Sequence, residues 1–229
     1  MAISRIQGTT GTTGATFPST LAATAFGATA TVGNTIIVAL MVDGLAATAA
    51  TTMTDNKGNV YTLRSTVFLV NVDQVDVWSA PITTGGTGLI VTAGGIGGTT
   101  AAMILEEWSG LVTATPLDQQ ITGTNASTTA VSIGPTSATT NSLDLIWLAF
   151  GGASNTATTT TATGFSNATL KVSSPSTLYV QSQVVAATGT QSVATTLSVA
   201  ISWEGCLVAL KGVITATTAH NLTLLGIGS

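Results

Sequence analysis

Charged side chains are scarce in this sequence. Only 6% of its 229 residues are charged, against roughly 25% in a typical globular domain. Five residues are Lys or Arg and the formal net charge is −4, so no basic stripe is available to neutralise a phosphate backbone. We therefore expect no nucleic-acid partner. Thr, Ser, Ala and Gly take the place of the charges, which favours strands and loops over helices.

Histidine and cysteine, on which much hydrolytic and metal chemistry depends, each occur once. His220 lies among Thr and Ala residues near the C-terminus, which argues against a Ser-His-Asp triad. Cys206 lies in an apolar run, which predicts a small core residue, and a lone cysteine forms no intramolecular disulfide. We therefore expect no enzyme activity, no cofactor and no metal.

Long apolar runs are also missing. The longest, such as residues 36–42, are far too short to cross a bilayer. Residues 1–8 lack the apolar segment of a secretory signal. We expect no membrane partner and an intracellular product that is assembled into something larger.

The acidic residues offer two candidate sites, and each has a plainer structural interpretation. Glu106 and Glu107 are adjacent, but consecutive strand residues point to opposite faces, so they do not converge on one glycosidic bond. We expect one of them in solvent and the other paired near a sheet edge. The turn at residues 55–59 has oxygen ligands for Ca²⁺. However, Lys57 lies in its middle and the spacing does not fit an EF-hand, which favours a turn without metal.

The four tryptophans each lie in a predicted strand. They are Trp78, Trp108, Trp147 and Trp203. A sugar-binding platform would need at least one exposed indole, whereas a single aromatic beside Leu, Ile and Val in a strand favours a place in the core.

Strand signals recur along most of the chain. Residues 34–43 are apolar on both alternating faces, which predicts a central strand covered on both sides. Residues 53–63 predict a hairpin whose turn contains Gly58. Further strands are predicted at 66–72, 75–80, 88–92, 101–109, 143–150, 169–173, 178–185, 192–199 and 202–211, with Gly/Thr-rich connectors at 122–129 and 151–164. This spacing is typical of a sandwich or barrel. A faint echo between the two halves is too weak to establish a duplication.

Three segments follow from this pattern. Residues 1–30 are predicted to be an N-terminal arm or edge strands, residues 31–211 a β-sandwich domain, and residues 212–229 an apolar C-terminal tail. The tail either closes its own sheet or adds a strand to a neighbour. The apolar residues of the two arms are therefore the candidate interaction residues. They are Phe17, Phe26, Ile214, Leu222, Leu224, Leu225 and Ile227.

A resemblance to a group of known proteins rests on four segments. These are Met-Thr-Asp-Asn-Lys-Gly-Asn-Val-Tyr-Thr-Leu at 53–63, Trp-Ser-Ala-Pro at 78–81, Leu-Glu-Glu-Trp-Ser-Gly-Leu at 105–111, and residues 203–211. In these segments the chain resembles β-sandwich modules of phage virion proteins and bacterial surface proteins. The resemblance implies an all-β, jelly-roll-like antiparallel β-sandwich with extended N- and C-terminal arms, and it transfers no catalytic residue.

The expected function follows from the resemblance and from the uncharged composition together. A surface with so few charges suits a protein covered by neighbours, although a well-hydrated Thr/Ser/Asn surface on a monomer is the alternative. The chain looks like a capsid decoration protein of a phage head. Its expected partners are copies of itself, as a homotrimer, and a major capsid or other virion protein. A phage tail or fibre subunit and a carbohydrate-binding or adhesive module are the alternative functions.

Overall fold

The structure is a computed structural model that describes residues 2–13, 19–45 and 49–214, with residues 167 and 168 described by their backbone alone. The strands of the first half are β1 (Ser4–Thr12), β2 (Thr20–Ala22), β3 (Thr35–Asp43), β4 (Thr52–Asp55), β5 (Thr62–Phe68), β6 (Asp73–Pro81), β7 (Val91–Gly94) and β8 (Thr100–Ser109). Those of the second half are β9 (Leu117–Ile133), β10 (Asp144–Gly152), β11 (Ser166–Ser173), β12 (Ser176–Val185) and β13 (Val193–Lys211). No helix in the described ranges is long and apolar enough to span a membrane.

The strands form three antiparallel sheets. The first sheet has the order β1-β8-β3-β6-β5, the second sheet has the order β11-β12-β10-β13-β9, and a small sheet has the order β2-β7-β4. The sheets pack face to face, so the predicted all-β antiparallel sandwich is confirmed. The jelly-roll arrangement of its strands stays a prediction.

The two five-stranded sheets share one strand order. Numbered within its own half of the chain, each sheet runs first, fifth, second, fourth, third, once the strands of the small sheet are left out. The ends of the two halves also meet in a reciprocal way. Val112 N–H donates to the Lys211 carbonyl at 2.8 Å, and Val213 N–H donates to the Gly110 carbonyl at 2.8 Å. The chain therefore uses one topology twice, although its sequence carries only a faint echo of the repetition.

Strand β3 shows why the large sheets need apolar residues on both faces. All nine of its residues are buried. Ile36, Val38 and Leu40 pack toward the small sheet, whereas Ile37, Ala39 and Met41 pack against the second sheet. The prediction of a central strand covered on both sides is confirmed, because a strand in that position has no solvent-facing side to make polar.

The outer face of the second sheet is covered by parts of its own half. Val131 and Ile133 of β9, together with Val193 and Leu197 of β13, fold over that face and enclose Phe165. Burying apolar side chains in this way contributes roughly 25 cal/mol per Å² of area removed from water. Both large sheets are thus buried on both sides, which accounts for a high apolar content beside a low charge content.

The core predictions for single residues are also confirmed. The four indoles are at most 9% exposed, and Cys206 is fully buried. Trp147 lies in the layer between the two large sheets. No described tryptophan is therefore available as a flat, exposed platform.

The hairpin predicted at residues 53–63 is wrong. The turn exists, with Gly58 at a φ of 81°, but β4 pairs with β7 of the small sheet and β5 pairs with β6 of the first sheet. The turn signal is local, whereas strand pairing is decided by which sheet has room for each strand.

Two other boundaries differ from the predictions. The connector predicted at 122–129 lies within β9, and the strands predicted at 192–199 and 202–211 are one strand, β13, with ladder irregularities between Thr196 and Trp203. β9 carries few apolar residues, so its sequence pattern does not predict a strand. Its conformation comes from a ladder to β13 that runs from Ile133 opposite Val193 to Leu117 opposite Leu210.

Candidate functional site

The few acidic residues of the chain are mostly inside it. Seven of the nine acidic residues are buried: Asp43, Asp73, Asp76, Glu106, Glu107, Asp144 and Glu204. The other charged side chains are only partly exposed. The described surface is therefore even poorer in charge than the composition indicates, and Thr, Ser, Ala and Gly make up much of it.

The expectation that Glu106 or Glu107 lies in solvent is wrong, because both are fully buried. Glu106 accepts from Arg5 Nε at 2.7 Å and from the indole N–H groups of Trp108 at 3.0 Å and Trp147 at 2.8 Å. Donors from β1, β8 and β10 explain how the charge of Glu106 is tolerated inside the fold.

Glu107 has a different set of partners. It accepts from Gln7 Nε2 at 2.6 Å, from Asn34 Nδ2 at 2.6 Å and from the Thr31 backbone N–H at 3.0 Å. The two carboxylates thus fix the edge strand β1 and residues 31–34 to β8. Each of their four carboxyl oxygens accepts at least one hydrogen bond from the protein.

The turn at residues 55–59 also uses its carboxylate internally. Asp55 Oδ1 accepts from the backbone N–H groups of Lys57 at 2.9 Å and Asn59 at 3.1 Å. Its Oδ2 accepts from Asn59 Nδ2 at 2.8 Å and from the Tyr61 hydroxyl at 3.0 Å. Burial and the neighbouring Asp55 raise the pKa of Tyr61. In the described part of the chain, no group of three His, Cys, Asp or Glu residues is placed to hold a metal ion.

Three buried carboxyls do converge between the large sheets, and we call them the carboxyl cluster: Asp43, Asp73 and Glu204. Asp43 and Asp73 are directly opposite each other on β3 and β6. The Ser176 hydroxyl lies 3.0 Å from Asp43 Oδ1 and 3.2 Å from Asp73 Oδ1. The cluster lies in the closed layer between the sheets rather than in an open cleft, so no substrate reaches it in this conformation.

A groove with apolar walls lies at one end of the sandwich, where β8 and β13 end. This end groove is formed by Gly33, residues 110–114 and Val213, and its volume is about 410 Å³. Its walls contain no charged side chain. Gly110 has a φ of 78°, and a Cβ there would overlap the Ala2 carbonyl oxygen, so the turn that builds the groove depends on glycine.

Exposed apolar side chains flank the end groove. Val32, next to Gly33, is 63% exposed, and Ile214, which follows Val213, is 54% exposed. Ile214 is the one predicted interaction residue that the structure places at this surface. Val32 was not predicted, because a single Val beside a turn glycine carries no distinguishing sequence signal.

The remaining predicted interaction residues are placed elsewhere or not described. Phe26 is only 4% exposed and packs in the core beneath the small sheet, so in this conformation its ring is covered by the chain itself. Phe17, Leu222, Leu224, Leu225 and Ile227 lie outside the described residues. Their contact with a partner stays a prediction.

Comparisons with protein-family models, with curated proteins and with solved structures find no match. The case for a function therefore rests on the residues of this chain. The features that bear on it are saturated or enclosed carboxylates, a surface poor in charge, and an end groove flanked by exposed apolar side chains.

Proposed function

We propose that this chain is a non-catalytic structural protein of a virion, a capsid decoration protein that stabilises a phage head through protein–protein contacts. The observation that carries the proposal is the end groove with its exposed Val32, Val213 and Ile214. Exposed apolar side chains next to an apolar groove without charged walls are typical of a protein-binding site. The resemblance to virion β-sandwich modules adds the kind of particle.

The burial of apolar surface supplies enough binding free energy for a protein that acts through protein–protein contacts. Burying about 1,000 Å² of apolar surface contributes roughly 25 kcal/mol before the costs of association are subtracted. Repetition of one contact over a shell then adds avidity. The proposed partners are two further copies of this chain, which complete a homotrimer, and a major capsid or other virion protein.

The competing functions differ in what they need from the surface. A tail or fibre subunit would use the same kind of contact, so it remains the second candidate. A carbohydrate-binding module built on tryptophan would need an exposed indole, and all four are buried. Decoration of purified phage heads and of purified tails with the labelled chain, viewed by electron microscopy, separates head from tail.

The assembly test uses apolar-to-acidic substitutions at the end groove. A V32E/I214E double variant should shift the chain from trimer to monomer in size-exclusion chromatography with light scattering, because each new carboxylate would have to be desolvated in the interface. V70E is the matched control, since Val70 is 56% exposed in the turn before β6, at the opposite end of β3 from Gly33. A wild-type chain that stays monomeric at every concentration, or a double variant that stays trimeric, would overturn the proposal.

A further inference from the structure

A second groove lies between the edges of the two large sheets. It is formed by residues 63–66 of β5 and residues 120–122 of β9, and its volume is about 490 Å³. We call it the edge groove. In contrast to the end groove it contains a cation, Arg64, together with amide and hydroxyl groups. Its volume is in the range of small-molecule sites, roughly 300–1,000 Å³.

Arg64 reaches this groove because the ladder between β5 and β6 is irregular at that point. Leu63 is opposite Trp78 and Ser65 is opposite Val77, which leaves Arg64 between them without an opposite residue. Such a bulge redirects a side chain, and bulges are common beside binding sites. Nothing in the local sequence pattern predicts it.

The guanidinium of Arg64 is held in place by a hydrogen bond to the neighbouring strand β6. Its Nε donates to the Ser79 hydroxyl oxygen at 2.7 Å, and Ser79 is fully buried. This bond fixes the plane of the guanidinium. Its two terminal amino groups make no hydrogen bond to any other described residue.

Arg64 also has no acidic partner in the described ranges. The single ion pair among the residues that the structure describes joins Arg5 to Glu106. Partial burial lowers the pKa of Arg64, but an arginine remains protonated in proteins. The edge groove therefore contains a fixed positive charge with a free pair of parallel donors, the geometry that a carboxylate accepts in a bidentate way.

Gln120 supplies further donors on the opposite wall. Its Oε1 accepts from the Ser65 hydroxyl at 2.9 Å, and Ser65 is buried. This leaves the Gln120 amino group directed away from Ser65 and without a partner among the described residues. Thr122 adds a hydroxyl on the same wall.

The part of the chain that the structure describes offers no free acidic side chain to this groove. Seven acidic residues are buried, and the oxygens of Asp55 are used within their turn. Those of Asp118 accept from Thr140 Oγ1 and from the backbone N–H groups of Thr140 and Asn141, at 2.7 to 2.9 Å. A second copy could present only these same occupied groups from its described part, so an exogenous ligand fits better.

We propose that the edge groove binds an acidic sugar, a hexuronate. The terminal amino groups of Arg64 bind its carboxylate, and the Gln120 amide and Thr122 hydroxyl bind ring hydroxyls. Leu63, which is 41% exposed and lines the same groove, provides the apolar contact that a sugar ring makes with its site. The hexuronate is either a free monosaccharide or a residue of an acidic polysaccharide, because both present the same carboxylate and hydroxyls.

The test is binding of sodium glucuronate to the full chain, measured by isothermal titration calorimetry, with glucose and acetate as partial analogues. Glucuronate should bind at least tenfold more tightly than either analogue. R64Q should weaken glucuronate at least tenfold, whereas K171Q, on β11 at the opposite edge of the second sheet, should leave it unchanged. Thermal unfolding confirms that each variant is folded.

Each further outcome decides part of the proposal. Q120L, at an exposed position, gives a second variant that is expected to weaken glucuronate without affecting acetate. Tighter binding of an oligoglucuronate than of the monosaccharide supports a polysaccharide source, and equal binding supports a free sugar. Three results would overturn the hexuronate proposal. These are equal affinity for glucose and glucuronate, equal affinity for acetate and glucuronate, and unchanged glucuronate binding by R64Q.

Discussion

Replacing Glu204 by Gln is expected to change how the stability of this protein depends on pH. Glu204 is fully buried, and neither of its carboxyl oxygens has a hydrogen-bond partner in the described part of the chain. The absence of a side chain at Gly151 makes room for this carboxyl beside Val75 and Met41. Burial raises the pKa of Glu204 well above its usual range, and the charges of Asp73 and Asp43 raise it further.

Asp73 behaves in the same way. Burial raises its pKa well above the usual range, and the neighbouring Asp43 adds to the effect, whereas the Ser176 hydroxyl opposes it. The groups that face the cluster from the other strands are the hydroxyls of Ser176, Thr99 and Thr100. No described cation lies among them to favour the ionised forms.

The sign of the pH effect follows from these raised values. Below a pH of about 4 the carboxyls are protonated in both the folded and the unfolded chain, and their contribution to stability is fully present. Above that pH the unfolded chain loses its protons first. The free energy of unfolding then falls by about 1.4 kcal/mol per pH unit for each carboxyl, which is about 3 kcal/mol per pH unit for Asp73 and Glu204 together. The fall ends once the pH has passed the folded-state pKa values.

The assay is urea unfolding at several pH values, followed by the fluorescence of the four buried tryptophans. E204Q should remove the contribution of Glu204 to the fall of the unfolding free energy with pH. The variant should therefore be more stable than the wild type at pH 8 and differ little from it at pH 4. D118N is the control of opposite sign. Hydrogen bonds to Thr140 and Asn141 help to lower the pKa of Asp118, so its small contribution is lost as the pH falls. An unchanged slope in E204Q, or wild-type stability that rises steadily from pH 4 to 8, would refute the reasoning.

Two further predictions concern the ends of the chain. R5M should lower the free energy of unfolding by about 3 kcal/mol, because it leaves Glu106 buried without its cation. R5K should recover part of this loss. An R5M variant with the same unfolding free energy as the wild type would contradict the prediction. Deleting residues 215–229 should leave the circular dichroism and tryptophan fluorescence unchanged and should weaken assembly in light scattering. Global unfolding on deletion would show instead that the tail completes this chain's own fold.

Strand identity could be predicted wherever burial is complete. β3 and β8 carry apolar residues on both faces because each is covered on both sides, and that pattern is visible in the sequence. β9 could not be found in this way, because its Thr, Asn, Ser and Gly residues are held by pairing with β13. The turn at Gly58 was predictable from local geometry, but the partners of β4 and β5 were not, since pairing depends on residues far away in the chain.

For the candidate sites, too, local features could be predicted from the sequence and long-range features could not. The scarcity of surface charge could be inferred from composition, although composition could not show that Glu106 and Glu107 are both buried. The burial of Glu107 depends on donors more than seventy residues away in sequence, at Asn34 and Gln7, and that of Glu106 depends on Arg5, which is equally remote. The edge groove depends on the bulge at Arg64 and on two strands from different halves meeting side by side. A long-range arrangement of this kind leaves no local pattern.

The buried carboxyls link the stability of the chain to its proposed assembly. The formal net charge of −4 counts all nine acidic residues as ionised, but every carboxyl that keeps its proton inside the fold moves the net charge toward zero. Copies with little net charge and few exposed ions repel one another weakly, which favours association. The same burial that costs stability at high pH therefore produces a surface suited to being covered. A contact of that kind should depend little on salt, because few exposed charges remain to be screened.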